Sequence, residues 1–195
     1  MRKLNTKVIT LVVSIALLLC VSVGGTLAYL VMKTSSLENT FAPASVTTTV
    51  EETFENNKKS NVKIKNTGDT TAYIRAAVVV TWQDAAGNVY GQRPVKGTNY
   101  TSWTLGTDWV EGSDGFYYYT KPVAAGETTA TALINSISPI GNLPATGYFL
   151  CVEILGSGLQ AEPTYVVESE WTNEKAVITV GNDGTMSVKP APGVG

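Results

Sequence analysis

Few side chains in this 195-residue sequence can do covalent or metal chemistry, and histidine is absent altogether. Its absence removes the Ser-His-Asp and Cys-His arrangements, the commonest zinc ligand and the H-E-x-x-H helix of metalloproteases. By residue type Cys151 is a nucleophile, but no His stands by to lower its pKa and its neighbours are apolar, so it reads as packing. The acidic pairs Glu51-Glu52 and Glu168-x-Glu170 fall on stretches that read as exposed. A glycosidase needs two carboxyls facing each other across a cleft, and nothing in this spacing brings them there. The residues therefore point away from an enzyme, and no cofactor is expected.

Three further patterns have a sharp reading and a plain one. Asp84, Asn88, Asp114 and Asp183 sit in Gly-containing turns and could offer oxygen ligands to calcium, yet the EF-hand spacing is missing, which favours turn residues without metal. Trp82, Trp103, Trp109 and Tyr117 to Tyr119 could form a flat platform for sugar rings, but alternation around Tyr117 and Tyr119 places at least half of them in a core. Leu143-Pro144-Ala145-Thr146-Gly147 matches a sortase recognition pentapeptide. A strand containing Glu153 follows it, rather than a membrane-length apolar stretch with a basic tail, so it reads as a Pro/Gly loop before a strand.

The elements that must position these residues are strands. Val46–Val50, Val62–Lys65, Tyr73–Trp82, Phe116–Thr120, Thr128–Ile134 and Tyr148–Leu155 are strand-like, with Asn/Asp/Gly turn signals between them. In the third, Ile74, Ala76, Val78, Val80 and Trp82 share one face, which is expected to be buried. In the last, Glu153 sets the face of Phe149, Cys151 and Leu155 toward water or a polar edge, leaving Cys151 a partly shielded free thiol. A modest helix is expected within 159–172, with Pro163 at its first position and Val166, Val167 and Trp171 at roughly helical spacing. Ala176–Val180 and Thr185–Lys189 flank Gly181-Asn182-Asp183-Gly184 as a hairpin, and Pro190-Ala191-Pro192-Gly193 reads as a frayed tail. The expected fold is all-β, an antiparallel jelly-roll-like β-sandwich with one short helix and an N-terminal signal helix.

The N-terminus carries an export signal by the same kind of reading. Arg2, Lys3 and Lys7 precede an apolar run from Val8 to Val23, too short for the roughly 20 residues of a membrane span. Thr26-Leu27-Ala28 puts small residues at −3 and −1 of a cut before Tyr29. Removing residues 1–28 takes three of the 14 basic residues and none of the 16 acidic ones, leaving 11 against 16 and a net charge of −5. A mildly acidic domain does not bind nucleic acid by neutralising phosphates. Cys20 leaves with the signal, so Cys151 has no disulfide partner. The expected organisation is a signal peptide (1–28), an N-terminal donor segment (29–45), a β-sandwich (46–175) and a C-terminal hairpin and tail (176–195), with membrane contact confined to the uncleaved precursor.

Gly24-Gly25-Thr26-Leu27-Ala28-Tyr29-Leu30, followed by Asn39-Thr40-Phe41, resembles the signal read by SipW-type signal peptidases, characteristic of the TasA/camelysin family. Val62-Lys63-Ile64-Lys65-Asn66-Thr67-Gly68, Ala72-Tyr73-Ile74-Arg75, Gly112 to Tyr119, Ala125-Gly126-Glu127 and Leu159-Gln160-Ala161 extend the likeness in order, nearest to BsaA-type biofilm matrix proteins. The resemblance implies a secreted jelly-roll subunit that forms a homopolymer outside the cell, with possible accessory matrix proteins. It also implies that Tyr29, Leu30, Val31 and Met32 act as a donor strand completing a neighbour's sheet. Two positions depart from the family pattern: Val31-Met32 stand where an Asp commonly follows, and Ala42 where a Gly is usual. The metalloprotease activity described for some relatives is not expected, since carboxylates alone would have to hold the metal. The alternative reading is a monomeric surface adhesin or carbohydrate-binding module.

Overall fold

A computed structural model of the chain describes residues 45–193. Two antiparallel sheets face each other across a common core, and a short helix and a hairpin cover the back of the second sheet. The first sheet has the order β1-β2-β6, with β1 Thr48–Glu55, β2 Lys58–Asn66 and β6 Ile134–Ile137. The second has the order β4-β5-β3-β7, with β3 Ala72–Gln83, β4 Trp109–Glu111, β5 Tyr117–Val123 and β7 Phe149–Gln160. Helix α1 (Tyr165–Trp171) and the hairpin β8 (Ala176–Val180) and β9 (Met186–Pro190) complete the fold. The chain is thus all-β apart from one short helix among the described residues.

The β-branched run of β3 explains the second sheet. It pairs with β7 over its whole length, from Ala72↔Gln160 to Gln83↔Phe149, but with β5 only from Ala72 to Ala76. Ile74 and Ala76 are buried and Val78 and Val80 half-buried against the inter-sheet core, and Trp82 on the same face is buried too, as the alternation predicts. The opposite face is not all solvent. Tyr73 is buried in a second core with Tyr118, Val167, Trp171, Ile178 and Met186. Successive tyrosines of β5 serve both layers, Tyr117 and Tyr119 entering the first core and Tyr118 the second. Arg75 is clamped between aromatic rings, with its guanidinium carbon 4.3 Å from the Phe116 centroid and 5.0 Å from that of Trp171.

Several elements differ from expectation for local reasons. The first strand runs on to Glu55 because Asn56 and Asn57 adopt left-handed conformations (φ 51° and 57°) that close a tight hairpin to β2. The strand expected at Thr128–Ile134 is displaced to Ile134–Ile137. Before it the chain does run beside β2, with Thr129 N–H and Leu133 N–H donating to Ile64 and Val62 carbonyls, but the Thr129 hydroxyl takes the Ile64 N–H and breaks the ladder. Helix α1 starts at Tyr165, not at Pro163, and buries Val167 and Trp171 while Val166 stays half-exposed. Residues 159 and 160 belong to β7, whose pairing with β3 outcompetes a longer helix. The tail is held at Ala191, which is buried and donates to the Lys175 carbonyl at 2.8 Å.

Two glycines of β7 set how the sheets close. A Cβ on Gly158 would lie 2.7 Å from Val46 Cγ1, and one on Gly156 3.0 Å from Thr48 Oγ1. The start of β1 and the residues just before it therefore lie tightly over the C-terminal half of β7. Among the described residues the N-terminal half has no such cover.

Candidate functional site

The uncovered half of β7 borders a groove of about 260 Å³. Val152 and Leu150 form one wall, Ile137 and Pro139 at the end of β6 another, and Phe54, Leu143 and Phe149 the rim. The rim residues are large and apolar yet 66%, 53% and 50% exposed, which makes this a contiguous apolar opening rather than scattered surface hydrophobes. Phe54 comes from the tip of the β1–β2 hairpin, Leu143 from the loop before β7, and Phe149 from the first residue of β7. Leu150, Val152 and Ile154 pack against the inter-sheet core but are only partly buried, so the core is incomplete here.

The groove also meets unpaired backbone. Strand β7 is hydrogen-bonded to β3 on one side, and among the described residues no strand pairs with its other side. The Val152 carbonyl accepts a bond from Lys59 Nζ at 2.6 Å, so it points away from β3. In an antiparallel pair the residues alternate between facing the partner and facing away. Leu150, Val152 and Ile154 therefore turn N–H and C=O to the free edge while their side chains line the core. An added strand would find hydrogen-bonding groups and apolar pockets in the same place.

The other candidate residues are accounted for without chemistry. Cys151 is a half-buried free thiol whose Sγ lies 3.7 Å from Glu153 Oε1; burial, then the Glu153 charge and hydrogen bond, pushes its pKa up and keeps it protonated at neutral pH. Glu51 turns to Lys65 (3.8 Å) and Thr128, Glu52 to Lys59 (2.9 Å), so the pair diverges. Glu168 accepts from Val180 N–H at 2.7 Å and ties α1 to the hairpin, while Glu170 is exposed. Asp84 accepts from Asn88 side chain and backbone and from Ala86 N–H, with its carboxyl held below the usual range chiefly by the Asn88 side chain. Asp183 closes its own turn onto Thr185, whose N–H and hydroxyl hold its carboxyl low. Asp114 is partly buried, which pushes its carboxyl up, but bonds from Tyr118, Asn173 and Phe116 N–H outweigh this and set it below the usual range. Among the described residues no three His, Cys, Asp or Glu side chains converge on a cation site.

The aromatic platform is absorbed into the cores. Trp82, Trp109 and Tyr117 to Tyr119 are all buried, and only Trp103 stays partly exposed, stacked on Tyr100 with Lys96 Nζ 4.2 Å from its ring centroid. Leu143 to Gly147 form the loop before β7, with Gly147 at φ 86° and Leu143 on the groove rim. Thr26, Ala28 and Tyr29 at the signal junction, and Tyr29, Leu30, Val31 and Met32 as donor strand, lie outside the described residues. Sequence reasoning missed Phe54, Lys59, Leu143 and Phe149 as groove residues. A signal existed for Phe54, the one aromatic in a strand, Thr48 to Glu55, whose only other apolar residue is Val50. No protein-family model, curated protein or solved structure matches the chain.

Proposed function

We propose that the mature chain is a secreted structural subunit of an extracellular matrix fibre, a jelly-roll-like domain that polymerises when Tyr29-Leu30-Val31-Met32 of one copy enters the groove beside β7 of the next. The observation that carries this reading is the coincidence of a strand edge that is unpaired among the described residues with a partly buried core face at Leu150, Val152 and Ile154. The tetrapeptide has the matching character. It is largely apolar and uncharged, costly to leave in water at about 25 cal/mol per Å² of apolar surface, and it alternates Tyr29/Val31 against Leu30/Met32 as a strand must. The linker from residue 33 to Ser45 spans up to about 45 Å when extended, enough to reach a neighbouring subunit. Cleavage before Tyr29 by a SipW-type peptidase would release the strand, and uncleaved precursor would keep it at the membrane.

Assembly state is the deciding measurement. Mature protein beginning at Tyr29 is expected to form fibres in negative stain. Protein beginning at Asn39 is expected to stay monomeric by gel filtration, and a synthetic peptide of residues 29–40 to block assembly of the longer form. Ala28→Trp should stop maturation, read by mass spectrometry of the secreted product. Fibres from the truncated protein, or a mature protein that is monomeric at every concentration, would refute the reading.

A further inference from the structure

One charged side chain reaches into the groove. Lys59 is aimed there by a bulge in β2: Asn61 is left-handed (φ 51°), and the register with β1 slips by one residue between Glu51↔Lys63 and Thr53↔Ser60. The Lys59 ammonium lies 2.6 Å from the Val152 carbonyl oxygen of the opposite sheet and 2.9 Å from Glu52 Oε2. Its side chain is only 15% exposed, unusual burial for a lysine. An inward-pointing lysine at a strand edge is one of the devices by which proteins keep that edge from pairing.

We propose that Lys59 is a removable cap on the acceptor edge, occupying the Val152 carbonyl in the unassembled subunit and ceding it to a backbone N–H of the incoming strand. The inference rests on the assembly reading above and concerns how fast the groove accepts a strand. Val152 is the middle of the three residues, Leu150, Val152 and Ile154, that face the free edge, so a strand cannot pair continuously until the ammonium has left. Glu52 neutralises the lysine and steadies it on the carbonyl. Lys59 sits opposite Phe54 in the β1–β2 hairpin, so the hairpin that carries the cap also supplies part of the apolar rim. A strand without apolar side chains would displace the ammonium and leave the groove unfilled. The cap therefore selects for occupants that refill the core, and holds off casual pairing between β7 edges of different copies.

The test is the time course of assembly of the mature protein, followed by light scattering and checked by electron microscopy. Lys59→Met keeps the apolar stem and removes the charge-assisted bond, which is stronger than a neutral one; a roughly tenfold shorter half-time is expected, with fibre morphology unchanged. Lys59→Arg keeps a cation on the carbonyl and should assemble close to the wild-type rate. Lys59→Gln, a neutral donor, should fall between, and it decides the matter if the methionine variant does not fold. Wild-type fibres together with Met and Gln variants that assemble no faster would overturn the cap and leave the assembly reading standing. Folded wild-type and variant proteins that all fail to polymerise would sink the assembly reading, and the cap with it.

Discussion

Asn66, at the end of β2, is a fully buried polar side chain with every bond it makes visible. Its Nδ2 donates to the Thr70 carbonyl at 2.8 Å and the Val123 carbonyl at 2.9 Å, and its Oδ1 accepts from Gly68 N–H at 3.0 Å. It thus joins the turn after β2 to the end of β5, and within that turn Gly68 lies so close to the Ser45 carbonyl that a Cβ would clash with it. Asn66→Ala strands three partners, of which Val123 is the most buried. Stranding a buried group costs about 1–3 kcal/mol, less where water can enter, so about 3–4 kcal/mol in total is expected. For a domain of this size that is roughly a 10 °C fall in Tm. Asn66→Asp adds a sign that alanine lacks. It keeps the Gly68 bond but sets a carboxylate against two carbonyl oxygens, raising its folded-state pKa above the unfolded value of about 3.9. The deficit of this variant relative to wild type should be smallest below about pH 4 and grow as pH rises through that value toward the folded pKa. The deficit of the alanine variant should show no such step. Urea unfolding followed by tryptophan fluorescence at several pH values checks both. A loss under about 1 kcal/mol for the alanine variant, or an aspartate deficit that shrinks as pH rises, would refute the account.

Further outcomes follow from the titrating groups. Cys151 should react with iodoacetamide more slowly at mildly alkaline pH than a free peptide thiol, and Glu153→Gln should speed it by removing a charge and an acceptor; equal rates for protein and peptide would count against the described environment. Tyr118 is pushed up to about 12, first by burial and then by its bond to Asp114, and burial raises Tyr73, Tyr100 and Tyr117 as well. By absorbance at 295 nm, Tyr117 and Tyr118 should therefore stay largely un-ionised at about pH 11, where an exposed tyrosine is largely phenolate, until the protein unfolds, and Tyr73 and Tyr100 should ionise later than an exposed tyrosine. The same Asp114–Tyr118 bond makes a stability contribution that is present above the unfolded pKa of Asp114 and lost as pH falls through its lowered folded value.

The parts of the fold that could be read in advance are those in which a residue's neighbours along the chain decide its fate. The alternation of β3, the polar mark of Glu153 on β7 and the Gly-Asn-Asp-Gly turn between β8 and β9 are local signals, and each names the element it belongs to. Tyr73 escapes such reading because the layer that buries it, α1 with β8 and β9, comes about a hundred residues later. The displacement of β6 depends on one threonine hydroxyl competing with a backbone ladder, a choice that propensity does not settle.

The groove lies further from the sequence still, because it is made where elements fail to meet. Gly156 and Gly158 let β1 cover one half of β7, and the other half stays open because the β1–β2 hairpin tip and the loop before β7 bring apolar side chains to the rim without closing over it. Plain alternation along β2 would set Lys59 on the face opposite Val62 and Ile64, which is the solvent face. A single left-handed asparagine at position 61 reverses that parity and sends the ammonium to the one carbonyl at the middle of the free edge. Unlike the lysines that merely decorate the outer surface, Lys59 spends its charge indoors, where holding it costs stability unless the bond it makes is needed. The bulge thus inverts β2 beside an edge that no strand pairs among the described residues, and makes any pairing at Val152 conditional on moving the ammonium off its carbonyl.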